Sequence, residues 1–373
     1  MKELNLNTYK QSQPYFKIFD VLLKEQLINK EPFLIENDIN PSSYRLARRT
    51  EQNIGHSIID KLCQKFGYAN VNEEIINELN IRLNEINYNV YYKVYETYED
   101  DIKYIDKLLE KNYIIFPLLI LMKLILIMNA GKTPFVLLEK IKDDYYNLKK
   151  YKEFFNEEFL ELFLIVSISI EDFDPKDLLL KDYDNPSLYF VASSKCCLND
   201  RYLEALNYAQ ICKTKLINDG NYKRLIYLNY NFMSCYFYFN NYEDAYNIAK
   251  KQLLTLKSFK VIEKEYNMTM KHYLACLLAL KKYKEIIKEV EKIPEITFNH
   301  FIPYMIALYH EDLEEYEATL KDIVYEDPNM VDEYTILVSN LDVFIKTKNK
   351  KSLANIKHKI MHPLYDYLLK NKI

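Results

Sequence analysis

Four glycines in 373 residues leave this chain little means of building anything but helices. Glycine normally makes up about 7% of a protein. Tight hairpin turns and backbone cradles for phosphate need φ values that residues with side chains adopt reluctantly. Gly55, Gly67, Gly131 and Gly220 cannot supply the turns of an all-β chain or of a repeated phosphate-binding fold. The expected class is all-α, and the length suits a small domain joined to a longer repeat array. Apolar residues recur at helical spacing from early on. Phe16, Phe19, Leu22 and Leu23 form one stripe; Ile54, Ile58, Ile59, Leu62 and Phe66 form another that ends at Gly67.

Between these stripes two short helices are expected. Asn29 can cap the first, with Lys30, Glu31 and Pro32 in its opening turn and Phe33, Leu34 and Ile35 turned inward. A break at Asn37-Asp38-Ile39 leads to Asn40, which can cap the next helix, with Pro41 at its first position. That helix holds half of the arginines. The chain has 50 basic residues but only six arginines, Arg45, Arg48, Arg49, Arg82, Arg201 and Arg224. Helical spacing puts Arg45, Arg48 and Arg49 on one side, with Ser42 a turn earlier and Tyr44 and Ala47 opposite. Arginine's planar fork matches guanine edges and phosphates as lysine's point charge does not. Net charge does not single the segment out, since residues 1–70 hold ten basic against eight acidic groups. Placement does, and the competing reading is a solvated basic helix.

The order Leu27-Ile28-Asn29-Lys30, Ile39-Asn40-Pro41-Ser42-Ser43-Tyr44-Arg45, Ile54-Gly55 and Leu62 to Tyr68 resembles the lambda-repressor-like helix-turn-helix family, of the xenobiotic-response-element type. The resemblance implies a DNA-binding domain over residues 1–70. In it Asn29–Asp38 would be the positioning helix and Asn40–Arg49 the recognition helix. It implies that Lys30, Ser42, Ser43, Arg45, Arg48 and Arg49 face DNA while Phe33, Leu34, Ile39, Tyr44 and Ala47 face the core. The chain departs from the family at the interhelical turn, where the usual small residue is Asp38, and late in the third helix, where the common acidic residue is Arg48.

Residues 71–373 read as helical repeats, clearest over 187–325. Tyr202-Leu203-Glu204-Ala205-Leu206-Asn207-Tyr208-Ala209 is echoed by Tyr242-Glu243-Asp244-Ala245-Tyr246-Asn247-Ile248-Ala249, then more loosely at Tyr283 and at Tyr316-Glu317-Ala318. Each tyrosine follows a polar turn: Asn199 to Arg201, Asn240-Asn241, Lys281-Lys282 and Glu314-Glu315. The pattern is similar to a divergent tetratricopeptide array, whose period is about 34 residues. The longer spacing here implies longer helices or extra turns. In such an array the first helix of each pair lines a concave face. Setting Ala245 at its consensus position puts Tyr227, Tyr230, Ser234 and Phe237 on that face, with Lys271 from one neighbouring unit and Phe190 and Ser194 from the other. Aromatics interspersed with polar groups suit an extended peptide.

Other chemistry is not evident. Gly131-Lys132-Thr133 ends like a phosphate loop, but Leu126 stands where the first glycine belongs. His310-Glu311 begins a zinc-protease signature that Glu314 interrupts, and His358 and His362 lack a third ligand. No catalytic constellation, metal or cofactor is expected. Ile114 to Met128 is apolar but holds Pro117 and Lys123 and falls short of the roughly 20 residues of a membrane span. A buried core helix is expected there, and no membrane contact. Six cysteines without a CxxC pair, behind a polar start from Met1 to Gln13, read as buried thiols of a cytoplasmic protein.

The succession of helix-turn-helix and repeats resembles the Rgg/PlcR-type peptide-pheromone receptors of the RRNPP group. That resemblance implies a homodimeric transcription regulator whose repeats sense a short signalling peptide and whose paired N-terminal domains bind double-stranded DNA. The alternative is a repeat-type adaptor that binds a protein partner and no DNA.

Overall fold

The computed structural model describes residues 2–49, 55–94, 98–130, 134–171, 178, 182–258, 263–293, 296–325 and 333–371. The chain is all-α: apart from one isolated bridge between Ala69 and Tyr113, the regular structure of the described residues is helical. The helices are α1 (Gln13–Glu25), α2 (Lys30–Glu36), α3 (Pro41–Arg49), α4 (His56–Phe66), α5 (Glu73–Tyr91), α6 (Glu99–Glu110), α7 (Phe116–Asn129), α8 (Pro134–Lys149), α9 (Glu157–Ile170) and α10 (Pro186–Leu198). Next come α11 (Tyr202–Asn218), α12 (Tyr222–Tyr238), α13 (Tyr242–Ser258), α14 (Glu263–Ala279), α15 (Tyr283–Val290), α16 (Phe298–Glu311), α17 (Leu313–Tyr325), α18 (Glu333–Thr347), α19 (Lys350–Asn355) and α20 (His362–Asn371). Contacts group Met1–Cys196 with Gln210–Arg224 as one compact unit and Cys197–Ala209 with Leu225–Ile373 as another.

In the first unit, residues 1–70 share their packing with α5 and with the segment that leads into α9. The Leu4 N–H donates to Asn84 Oδ1 at 2.7 Å, and the Asn84 amide donates back to the Leu4 carbonyl at 2.8 Å. The Tyr9 hydroxyl donates to the Phe154 carbonyl at 3.3 Å and accepts from the Asn156 N–H at 3.0 Å. Leu4, Leu6 and Tyr9 are buried, although the opening residues read as polar overall. The apolar run from Ile114 forms α7, whose Leu118, Leu119, Leu121 and Met122 are fully buried. Lys123 on that helix pairs with Asp106 at 2.6 Å. No described helix is long and apolar enough to cross a membrane.

Arg224, to which the sequence alone assigns no role, closes the end of α5. It is buried, and its guanidinium donates to the Tyr91 and Val90 carbonyls, each at 3.1 Å. Asn221 adds a bond to the Tyr91 carbonyl at 2.8 Å, and the Tyr91 hydroxyl bonds Asp219 at 2.5 Å. A helix leaves its last carbonyls without partners, and a cation there also complements the helix dipole.

Helices in the second unit pack in sequence-adjacent pairs, such as α13 on α14 and α15 on α16. Tyr202, Tyr242 and Tyr283 each begin a helix, as the repeat implied. Two residues before each tyrosine the backbone turns left-handed, at Asp200 (φ 59°), Asn240 (φ 60°) and Lys281 (φ 57°). The Tyr242 hydroxyl donates to the Asn240 side chain at 2.7 Å, which ties the aromatic to its own turn. Ala205 and Ala245 are fully buried, as close helix approach requires. Helices α11 to α14 are each 17 residues long, so the 40-residue spacing comes from added helix length. The fourth echo is out of register. Asp312 caps α17 by accepting the Glu315 N–H at 3.1 Å, so Glu314-Glu315 is already helix and Tyr316 sits in its first turn.

Candidate nucleic-acid interface

Local rules account for the two short helices. Asn40 caps α3: its side chain accepts the Ser42 N–H at 2.8 Å and the Ser43 N–H at 3.3 Å. Asn29 holds the cap position of α2, but its side chain makes no capping bond. The turn between them closes with the Ile39 N–H donating to the Leu34 carbonyl at 2.8 Å while Asp38 takes φ 54°. Aspartate tolerates this left-handed conformation better than most residues, which explains how the chain dispenses with the usual small residue. On α4, Gly67 turns left-handed at φ 73° and ends the helix where its apolar stripe stops.

Phe33, Leu34, Ile39, Tyr44 and Ala47 are all buried, as the family resemblance implied. The Tyr44 ring meets Phe16 edge to face at 4.8 Å, and Phe66 packs against Phe19 and Phe33 at 5.8 and 5.6 Å. Ile35, expected to face inward, is 64% exposed; Phe33 and Leu34 complete the buried face of this seven-residue helix without it. Residues 50–54, which include Ile54, lie outside the described set.

Ser42, Ser43, Arg45, Arg48 and Arg49 are exposed along α3, and Lys30 on α2 is half-exposed. A cleft of about 230 Å³ lies between α2 and α3, walled by Lys30, Arg45, Arg48 and Arg49 over Leu34, Pro41 and Tyr44. Arg45 pairs with Glu31 of α2. On α1, Asp20 accepts the Tyr44 hydroxyl at 2.9 Å, pairs with Lys30, and faces the Arg48 guanidinium at 2.8 Å. Sequence reasoning missed Asp20; its one signal is an acidic residue set inside an apolar stripe, between Phe19 and Val21. Desolvation and the Asp20 carboxylate both push the Tyr44 phenol upward, so it stays a neutral donor.

The seven groove residues fall in both units. Phe190 and Ser194, in the first unit, are half-buried, and the Arg224 guanidinium covers the Phe190 ring at 5.6 Å. In the second unit Tyr227 hydrogen-bonds Glu265, and the Tyr230 hydroxyl donates to the Glu265 carbonyl at 3.1 Å and meets the Thr269 hydroxyl at 3.3 Å. The Tyr230 ring stacks on His272 at 5.6 Å. Ser234 is half-buried, whereas Phe237 is buried between Tyr242 and Tyr367, which commits it to the core. Lys271 is half-buried, and desolvation holds its ammonium below the usual lysine range. Beside this cluster, Glu265 Oε2 and Asn267 Oδ1 are buried without a hydrogen-bond partner.

No protein-family model, curated protein or solved structure matches this chain.

Gly131-Lys132-Thr133 falls outside the described residues, as does the side chain of His362. The His310 ring stacks on Tyr283 at 4.6 Å, and His358 lies 3.9 Å from Glu333. Among the described residues no three His, Cys, Asp or Glu side chains converge as a metal site.

Proposed function

We propose that this chain is a sequence-specific DNA-binding transcriptional regulator that reads a duplex with α3 and senses a short peptide through its helical pairs. One observation carries the reading. On a single nine-residue helix Tyr44 and Ala47 are buried against α1 and α2 while Ser42, Ser43, Arg45, Arg48 and Arg49 stand exposed, with Leu46 also on the outer side. A helix offering guanidinium groups from a buried anchor is what major-groove reading requires. The reading includes a cytoplasmic homodimer, because two half-sites one helical turn apart need two such helices. Its peptide part draws on Tyr227, Tyr230 and Lys271, which keep exposed surface on α12 and α14. A peptide would act through different affinities for two arrangements of the dimer.

The test is selection of bound fragments from genomic DNA by the purified chain, repeated with Arg45→Ala/Arg48→Ala/Arg49→Ala. The wild type should enrich a defined motif and the triple variant should not. In single variants, Arg45→Ala should cost about 1–3 kcal/mol and relax preference at one position, as for a base contact. Arg49→Ala should weaken all sequences alike and flatten the salt slope, as for a phosphate contact. A specific observation favours a second reading. Lys30, Arg45 and Arg48 each already pair with a carboxylate, as on a solvated helix of a protein-binding adaptor. In that case the three arginine variants leave DNA retention unchanged.

A further inference from the structure

Asp20 is held from three sides. Its Oδ1 receives the buried Tyr44 hydroxyl and the Lys30 ammonium, and its Oδ2 faces Arg48 at 2.8 Å. Lys30 also lies over the Tyr44 ring at 5.1 Å, so one carboxylate joins α1, α2 and α3. Its side chain is 19% exposed, whereas Lys30 and Arg48 are 38% and 50% exposed. The two cations therefore reach solvent while their partner stays back. The pairing of Arg45 with Glu31 differs in kind: both side chains are more than 60% exposed, and such a pair contributes little. Among the described residues no carboxylate pairs with Arg49.

We infer that Asp20 is a positioning residue that tempers this surface by competing with a backbone phosphate for Lys30 and Arg48; the inference rests on the DNA-binding reading. A carboxylate and a phosphate present the same kind of anionic oxygens to ammonium and guanidinium donors. A phosphate arriving at Lys30 meets a cation already occupied, so each contact made there returns less affinity than one at a bare cation. Arg48 pairs with Asp20 by charge, without a hydrogen bond to Oδ2, and can turn its N–H donors to a phosphate. The sequence-independent share of binding is lowered, and α3 is fixed in angle. Arg45 is left to read an edge at small cost. Asp20 thus exchanges affinity for discrimination.

Asp20→Asn in the full chain tests this, since asparagine keeps the size and the acceptor for Tyr44 but loses the charge. The probes are the tightest fragment from the genomic selection and a random duplex of equal length. Each is titrated by fluorescence anisotropy between about 50 and about 200 mM salt. Random-duplex affinity should rise about three- to tenfold, and its salt slope should steepen by about one to two. The ratio of selected to random affinity should narrow. In the Lys30→Ala/Arg48→Ala background the same substitution should change none of these. An Asp20→Asn protein with wild-type slope and ratio overturns the inference, while the DNA reading stands if the triple arginine variant still loses the motif. A wild type that retains no duplex removes both. Should Asp20→Asn fail to fold, Lys30→Gln and Arg49→Gln decide the matter: the Asp20-paired lysine should reduce the slope less than the arginine, and equal reductions overturn the inference.

Discussion

Burial pushes the His272 imidazole down to about 4, and the adjacent Lys271 ammonium acts in the same direction. The ring is neutral in the fold, while an unfolded histidine takes a proton near pH 6.5. Between those values the unfolded chain binds more protons, so stability falls as pH drops below about 6.5. His300 shifts the same way through burial: its Nδ1 accepts the Thr297 N–H at 3.2 Å and its Nε2 lies 3.1 Å from the Asn267 carbonyl. Each such histidine adds at most about 1.4 kcal/mol per pH unit. The urea midpoint should therefore fall between about pH 7 and about pH 5, and less steeply in His272→Gln. Asp101 and Glu161, whose carboxyls burial raises, work against the trend, since each binds its proton more tightly in the fold. At Gly55 the argument is steric. A Cβ there would lie 2.7 Å from Ser12 Oγ and 3.0 Å from the Phe16 ring. Gly55→Ala should lower stability by about 1–3 kcal/mol, opposite to the usual gain from losing a glycine. Thermal melting measures it.

At the scale of elements, most left-handed turns lack glycine. Among the described residues Leu27, Asp38, Lys93, Asn112, Asp200, Asn240, Lys281 and Lys348 take positive φ, as do two glycines, Gly67 and Gly220. Leu27 closes α1 at φ 54° with its side chain 93% exposed, so packing does not hold it there. Leu27→Gly should raise stability by about 0.5–1 kcal/mol in chemical denaturation, because glycine adopts this conformation without strain. Such turns also show what was legible in the sequence. Asn40 with Pro41, Gly67, and the tyrosines at 202, 242 and 283 mark boundaries because local chemistry sets them, whatever packs nearby. Leu4, Leu6 and Tyr9 follow neither helical nor strand period, and their burial depends on partners 74 or more residues away. Asp20 and Arg224 were hidden for the same reason: their partners sit on other elements. Phe237 carries the repeat's aromatic spacing, but spacing alone does not separate a groove wall from a core.

For the whole molecule, these distant partners bear on residues 1–70 as a piece. The Leu6 N–H donates to Asn80 at 3.0 Å, the Ala69 N–H donates to the Asn112 carbonyl at 2.9 Å, and Tyr9 lies against Phe154 at 4.9 Å. Cutting after residue 70 would expose Leu4, Leu6 and Tyr9 and leave those backbone donors to water. About 55–65 residues can fold alone, but with little margin. The isolated segment should unfold at lower urea than α1 to α4 do within the full chain. Circular dichroism of the segment and amide hydrogen exchange of the chain provide the comparison, and equal stability would mean that the distant contacts add nothing.

The chain has no tryptophan. Phe66, where α4 meets Phe19 of α1 and Phe33 of α2, is thus a place where a single indole would emit without background. Phe66→Trp would make fluorescence a private reporter of that corner, so its opening could be timed separately from the melting of every other helix.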